Sequence, residues 1–485
     1  MIILLTTILY FILLLVISRV TGRGGNDAFF RGNRQSPWGL VAFGMVGASL
    51  SGVTFVSVPG MVMNIDMTYI QMCIGFLFGY VIVAFVLLPL YYRYNLTTIY
   101  TYLDMRFGSK SYTTGALFFM LSKMTGAAAR LYLVCLILQH YVFDDLGVPY
   151  VVTVVSTLVL MWLYTRRGGI KTLVWTDALQ TLFLLTTLVL IIVKASDMLG
   201  VNVVDAMKMA LDNEHGRMFE MTDFESRQNF FKQFFSGLFV VIVMTGLDQD
   251  MMQKNLTCKD LRSAQKDMIT SGFIFIPVNF LFLILGVMLL MLYQQNGMAL
   301  PEGGDRLMPD FVASGVMGES VLVIFTIGII SSAFSSADSA MTALTTCFCI
   351  DILKIERREP STLRFSSETI RKIVHVCMML TFVLFILAFK AVGSQNIIDA
   401  IYMLAGYTYG PLLGLFAFGI TTYMKPRDKF VPIVAVISPL ICLGIDYVSF
   451  NYYGYSFGYE MLIINGALTY GGLCLLSIRS HSSEI

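Results

Sequence analysis

Long apolar runs, each closed by a short cluster of charged or turn-forming residues, follow one another along this chain. A helix that crosses a bilayer needs roughly 20 mostly apolar residues. By that measure the pattern predicts thirteen segments, at about 2–20, 38–63, 68–92, 111–142, 148–165, 170–195, 234–251, 269–293, 315–350, 372–390, 396–422, 431–449 and 457–477, numbered 1 to 13 in that order. Segment 7 ends in acidic residues, and segment 9 is long and rich in serine. Segment 1 carries Arg19 and Arg23 after its apolar run. That order is the reverse of a cleaved signal peptide, so a retained first span is expected. Of the two long connections, 196–233 mixes charges with Val203, Met207, Leu211, Phe219 and Phe230 and reads as an interfacial helix. The other, 351–371, is basic with Arg357, Arg358 and Arg364 and reads as a cytoplasmic loop.

The basic residues test this map. Of 33 Lys and Arg, 24 fall in the connections after odd-numbered segments and in the tail, and 7 on the opposite side. Lys123 and Arg130 lie within segment 4. Cytoplasmic loops carry the excess of Lys and Arg, so the N-terminus is expected outside and the C-terminus inside a cell (inner or plasma) membrane. One missed or spurious helix would scramble the alternation.

Composition narrows the classes. With 56% apolar and 13% charged residues, against roughly 45–50% and about 25% in soluble domains, a soluble enzyme, a nucleic-acid binder and a disordered scaffold are all disfavoured. A net charge of +2 is too small to attract anionic partners through the overall field. Five of the 8 cysteines (Cys73, Cys135, Cys377, Cys442 and Cys474) sit inside apolar segments as packing residues. Cys347 and Cys349 lack further ligands at metal spacing. The 4 histidines are scattered, with no HExxH, GxSxG or phosphate loop. The expectation is an all-α polytopic membrane protein, a single transmembrane domain over 1–485, not an enzyme, with the lipid bilayer as its partner and no obligate protein partner indicated.

Chemistry concentrates in a few segments. Segment 2 combines Gly44, Gly47, Gly52, Pro59 and Gly60 with Ser49, Ser51, Thr54 and Ser57. Such a stretch can unwind, leaving carbonyls for a small cation and hydroxyls for a solute; its plainer reading is close helix packing through small residues. Segment 9 carries Ser331, Ser332, Ser335, Ser336 and Ser339, spaced by helical turns on one face. Oxygen donors at that density suit a hard cation. Asp338, in the same stretch, is costly at membrane depth and should face a cavity or partner, unless it lies near the inner end beside Lys354. Asp177, at the start of segment 6, reads equally as a cation or proton site and as a helix N-terminal carboxylate favoured by the dipole. Arg130 follows Gly126 and three alanines in mid-segment, and a buried guanidinium wants a bidentate acidic partner, from protein or solute. Lys123, nearer the helix end, can snorkel.

Taken in order, the motifs resemble the sodium/solute symporter family over nearly the whole chain. They are Asp27–Arg34, Thr98–Gly108, Gly168–Asp177, Gly246–Lys254, the segment-9 serines and Gly410–Gly414. The resemblance implies a leucine-transporter-like core of two inverted five-helix repeats, segments 2–6 (about 38–195) and 7–11 (about 234–422), with segments 1, 12 and 13 peripheral. It implies a main sodium site from the carbonyls of Gly47, Leu50 and Ser332 and the hydroxyls of Ser335 and Ser336. A second site, for sodium or a proton, would use Asp177, Ser335 and Ser339; there Asp338 replaces a serine that some members supply. Ser49, Ser51, Thr54, Tyr69, Gln71 and Arg130 would face the solute. Arg130 resembles an arginine of the family's sialic-acid transporters, which favours a carboxylate such as a sialic acid or other organic anion. The expected activity is sodium-coupled symport by alternating access, with sodium as coupling ion and no organic cofactor. The alternatives are a sugar or proline-like symporter, a proton-coupled transporter, and a non-transporting channel or sensor.

Overall fold

In the computed structural model, residues 2–22, 24–358, 365–392, 397–455 and 457–478 are described; Arg23, Arg364 and Arg479 of the basic count lie outside them. Each of the thirteen predicted segments falls on a helix or on a bent helix pair. Eight described helices are long and apolar enough to cross a membrane, and ten segments are if each bent pair counts as one. Segments 1, 5 and 13 form the helices Ile2–Thr21, Tyr150–Gly168 and Met461–Leu476, which fall short of that measure. Several helices outrun their apolar stretch, as in segment 8, which is continuous from Leu261 to Gln295. Part of the long connection 196–233 is a nine-residue helix, Val203–Leu211, capped by the Asn202 side chain. It buries Ala206 and Ala210 and exposes Val204 and Met209, the amphipathic pattern of an interfacial element.

The connections sort onto two ends of the bundle. At one end Arg31 pairs with Glu356 at 2.8 Å, Arg357 with Asp104 at 2.7 Å, and Asp428 accepts from the Ser111 backbone at 2.8 Å. At the other, the Met67 N–H donates to the Arg217 carbonyl at 3.0 Å and Lys232 donates to the Tyr455 hydroxyl at 3.2 Å. The first end gathers the loops that follow odd-numbered segments, the arginine- and lysine-rich set.

Segments 2 and 7 are the two that break. In segment 2, Trp38–Ser49 stops at Leu50 (ψ 76°) and Ser51 is extended. The helix then restarts from Gly52 with the Ser51 side chain capping the Thr54 N–H, the preferred use of serine at a helix start. The two halves are bent by 51°. Segment 7 differs from its predicted 234–251: it runs from Phe230 to Gly246, breaks at Leu247, and continues as Gln249–Asn255 after a bend of 68°. There Asp248 is the cap, accepting from the Asp250 and Met251 N–H groups at 2.8 and 3.3 Å. Segment 9, by contrast, is unbroken through all its serines, from Glu319 to Cys347.

The upper half of segment 2 is held where Gly60 lies against the backbone of Gly304, in the connection after segment 8. A β-carbon on Gly60 would sit 2.9 Å from the Gly304 α-carbon and closer still to its carbonyl. Backbone cannot yield as a side chain tip can. Gly60→Val is therefore expected to destabilise the fold by about 1–3 kcal/mol or more. Thermal unfolding of the purified variant would show this as a clear drop in melting temperature; an unchanged value would refute the contact.

Candidate functional site

The two breaks face one cavity. Its lining includes Ser49, Ser51 and Thr54 from the turn in segment 2, Tyr69 and Phe76 from segment 3, and Lys123 and Arg130 from segment 4. Thr245 and Asp248 at the break of segment 7 and Tyr409 of segment 11 complete it. A second cavity, lined by Asn64, Arg227, Gln233, Phe457 and Glu460, shares Met61, Val240, Met244 and Ala405 with the first. The second cavity lies toward the end of the bundle that bears the 199–229 connection, with Arg227 and Gln228 in its lining.

Arg130 is half-buried in the cavity wall, and among the described residues no carboxylate lies within ion-pair distance of it. Lys123, one turn pair below on the same helix, does not snorkel. It is buried and held by Asp248 at 3.1 Å and Asp250 at 2.7 Å. The Tyr409 hydroxyl donates to the same Asp248 carboxylate at 2.5 Å. Asp248 thus ties segments 4, 7 and 11 together directly beneath the cavity. The carbonyls freed at this break are also occupied, Gly246 by the Tyr91 hydroxyl at 2.7 Å and Leu247 by that of Tyr100 at 2.9 Å.

Gln71, expected to face the solute, does not line the cavity. Its amide donates to the Thr68 and Gln228 carbonyls at 3.2 and 2.9 Å and accepts from the Glu220 N–H at 3.0 Å. The outer connection captures it. Glu220 itself is fixed by the Thr222 hydroxyl and by the backbone N–H groups of Asp223 and Thr222, which hold its carboxyl below the usual range.

Behind the break of segment 2 lie the serines of segment 9. The Ser332 hydroxyl donates to the Leu50 carbonyl at 2.6 Å, so the carbonyl freed by the turn meets the serine face directly. Gly47 packs against Thr181 of segment 6. Ser335 donates to one oxygen of Asp177 at 3.1 Å and Ser339 to the other at 3.4 Å. Ser336 is buried beside them. Asp177 sits in the third turn of Ile170–Met198, away from the N-terminal turn that the dipole reading required. Asp338 is fully buried and accepts from the Tyr164 hydroxyl at 2.5 Å. Lys354, its alternative partner, instead lies 3.3 Å from Ser109.

Two cationic contacts escaped the sequence reading. Lys254 reaches back from the inner half of segment 7 to Asp177, 2.7 Å away, with side chains 2% and 0% exposed. Lys123 finds its carboxylates on the same short helix. The available signal was the density of Asp248, Gln249, Asp250, Gln253, Lys254 and Asn255 between apolar runs. Polar and ionisable residues at membrane depth face the interior and one another, and all six are buried.

The model of the sodium:solute symporter family matches residues 29–425. The chain belongs to the sodium:solute symporter family. Similar relatives within it include the sodium/sialic acid symporter SiaT of Proteus mirabilis (strain HI4320), 26% identical over 461 residues and covering 91% of this chain and 89% of that one. The sodium/sialic acid symporter NanT of Aliivibrio fischeri (strain ATCC 700601 / ES114) is also 26% identical, over 91% and 87%. The human sodium/iodide cotransporter is 25% identical over 84% of this chain and 64% of its own. Among solved structures, the substrate-bound outward-open state of a Na+-coupled sialic acid symporter superposes with a TM-score of 0.82 at 21% identity, covering 98% and 97% of the two chains. A nucleobase-cation-symport-1 family transporter in a closed conformation superposes at 0.56 with 14% identity, over 91% and 92%. This symporter-family chain therefore has the leucine-transporter-like all-α fold expected from its sequence and is a multi-pass membrane transporter, not an enzyme.

Proposed function

We propose that this protein imports a small organic acid of the sialic-acid class together with sodium, by alternating access. The observation that carries the reading is Arg130, a guanidinium with no carboxylate partner among the described residues, set in the wall of a cavity built on two helix breaks. A bidentate carboxylate is its natural ligand. The hydroxyls of Ser49, Ser51 and Thr54 on the facing turn suit the polyol part of such an acid, and Tyr69 offers an apolar ring edge. The sialic-acid transport of two relatives that match nearly full length supports the same class.

The main sodium site is assigned to the carbonyls of Gly47, Leu50 and Ser332 and the hydroxyls of Ser335 and Ser336. Joining the turn of segment 2 to the unbroken face of segment 9 would fix the cavity floor and so raise solute affinity, and the solute reciprocally raises that of sodium. Asp177, Asp338 and Ser339 form the candidate second ion site. Segments 2–6 and 7–11 are taken as the two inverted repeats, since the breaks fall on the first helix of each. With the basic loops inside, the N-terminus lies outside and the cavity opens outward.

The test is uptake into proteoliposomes of N-acetylneuraminate, glucose, proline and lactate, each under an inward sodium gradient, a potassium gradient or a pH gradient. Sodium-driven accumulation of N-acetylneuraminate is expected. Sodium-driven uptake of a neutral solute alone would discard the role given to Arg130, and uptake driven by pH without sodium would discard the coupling ion.

A further inference from the structure

The symport reading has no use for Lys254, which stands in the ion region. Its ammonium lies 2.7 Å from an Asp177 oxygen, in a spot where both side chains are excluded from solvent. Ser335 and Ser339 donate to the two oxygens of the same carboxylate. Asp177, Ser335 and Ser339 are the groups that a second sodium would need. Sodium requires several oxygens in direct contact, and here the carboxylate already has an ammonium at ion-pair distance and two hydroxyls against it. A second cation pressed into that seat would meet the ammonium at van der Waals distance with no water to screen it.

The remaining carboxylate is engaged as well. Asp338 accepts from the Tyr164 hydroxyl at one oxygen, and its other oxygen lies 3.3 Å from the Ser339 hydroxyl, whose single proton serves either this carboxylate or Asp177. At the main site the Ser332 hydroxyl meets the Leu50 carbonyl, and among the described residues the ion pair of Lys254 is with Asp177 and with none of Gly47, Leu50, Ser332, Ser335 and Ser336. Lys254 is held in place by its helix, whose start is pinned by Asp248 and whose Gln253 amide donates to the Phe30 carbonyl and the Thr346 hydroxyl, both at 2.9 Å.

We infer that the Lys254 ammonium is a tethered cation that fills the second ion seat at Asp177, so that this transporter carries one sodium per cycle through the main site alone. The inference rests on the symport reading, and its failure can be told apart from the failure of that reading.

The experiment is saturation binding of radioactive sodium to the purified full-length protein, counted per chain, for the wild type and for Lys254→Gln, Lys254→Met and Lys254→Arg. One sodium is expected for the wild type and for Lys254→Arg, which keeps the charge. Two are expected for whichever neutral variant purifies as a monodisperse protein, the methionine filling the same space if the glutamine does not fold. Two sodium ions in the wild type would overturn the inference outright, as would a count that stays at one in a folded neutral variant. No sodium bound by any form would instead overturn the symport reading.

Discussion

Arg130→Ala is expected to abolish measurable uptake of an organic acid at substrate concentrations near the wild-type KM. Truncating one partner of a desolvated, hydrogen-bonded charge pair costs about 2–5 kcal/mol, equivalent to roughly 30- to several thousand-fold in affinity. The loss should fall on the acid alone: sodium binding to the empty protein should persist, because Arg130 lines the solute cavity and, among the described residues, has no hydrogen bond or ion pair to the groups behind the break of segment 2. Arg130→Lys separates charge from geometry. A lysine keeps the point charge but cannot offer two parallel N–H groups to a carboxylate, so it should recover only a small part of the affinity. Thermal stabilisation by the acid, with sodium present, reads both variants without requiring transport. If Arg130→Ala is stabilised as strongly as the wild type, the guanidinium is not the carboxylate's partner.

Sodium stimulation should vanish in the double variant Ser335→Ala, Ser336→Ala. Each change removes one hydroxyl oxygen from a seat that has few oxygens, and hard cations depend on donor number. The expected result is residual uptake that is the same in sodium and potassium, with the acid's own affinity reduced by the amount of the lost coupling, typically about 1–3 kcal/mol. Both are read from uptake at a series of sodium concentrations. Because Ser335 also bonds Asp177, Ser336→Ala alone is the cleaner single change, and it should raise the sodium concentration needed for half-maximal uptake. Full sodium dependence in the double variant would move the site elsewhere.

These expectations draw on different depths of legibility in the chain. The positions of the helical segments were readable because lipid imposes a length on every span, and that length does not depend on what packs against what. The break of segment 2 was also readable, since Gly47 and Gly52 flank it and each weakens a helix for a local reason, whereas Pro59 lies within the helix that restarts after it. The break of segment 7 was not. There the helix stops at Leu247 without proline, and what stabilises the stop is Asp248, whose capping role is visible only once Lys123 and Tyr409 are seen to hold it. The absence of Gln71 from the cavity lining, where Tyr69 stands as expected, has a similar cause. Both lie near the start of the same helix, and the outer connection, far along the chain, decides which of them reaches the cavity. Arg130 was legible as a cation needing a partner because nothing beside it in sequence could serve. Lys254 was not, because its partner stands on another segment and Asp177 had a plausible local explanation of its own.

The ion pair between Lys254 and Asp177 has an electrical consequence. A cation that belongs to the protein cannot be released, so it contributes nothing to the net charge delivered per turnover. If one sodium accompanies one singly charged acid, the cargo is neutral, and the membrane voltage, which otherwise acts at about 2.3 kcal/mol per charge per 100 mV, does no work on it. Accumulation would then stop at the sodium concentration ratio, tenfold for a tenfold gradient, and would be unaffected by depolarisation. A neutral residue at position 254 that admits a second sodium would make the same fold current-generating and steeper. One buried side chain would thus set whether the cell's voltage is spent on this solute.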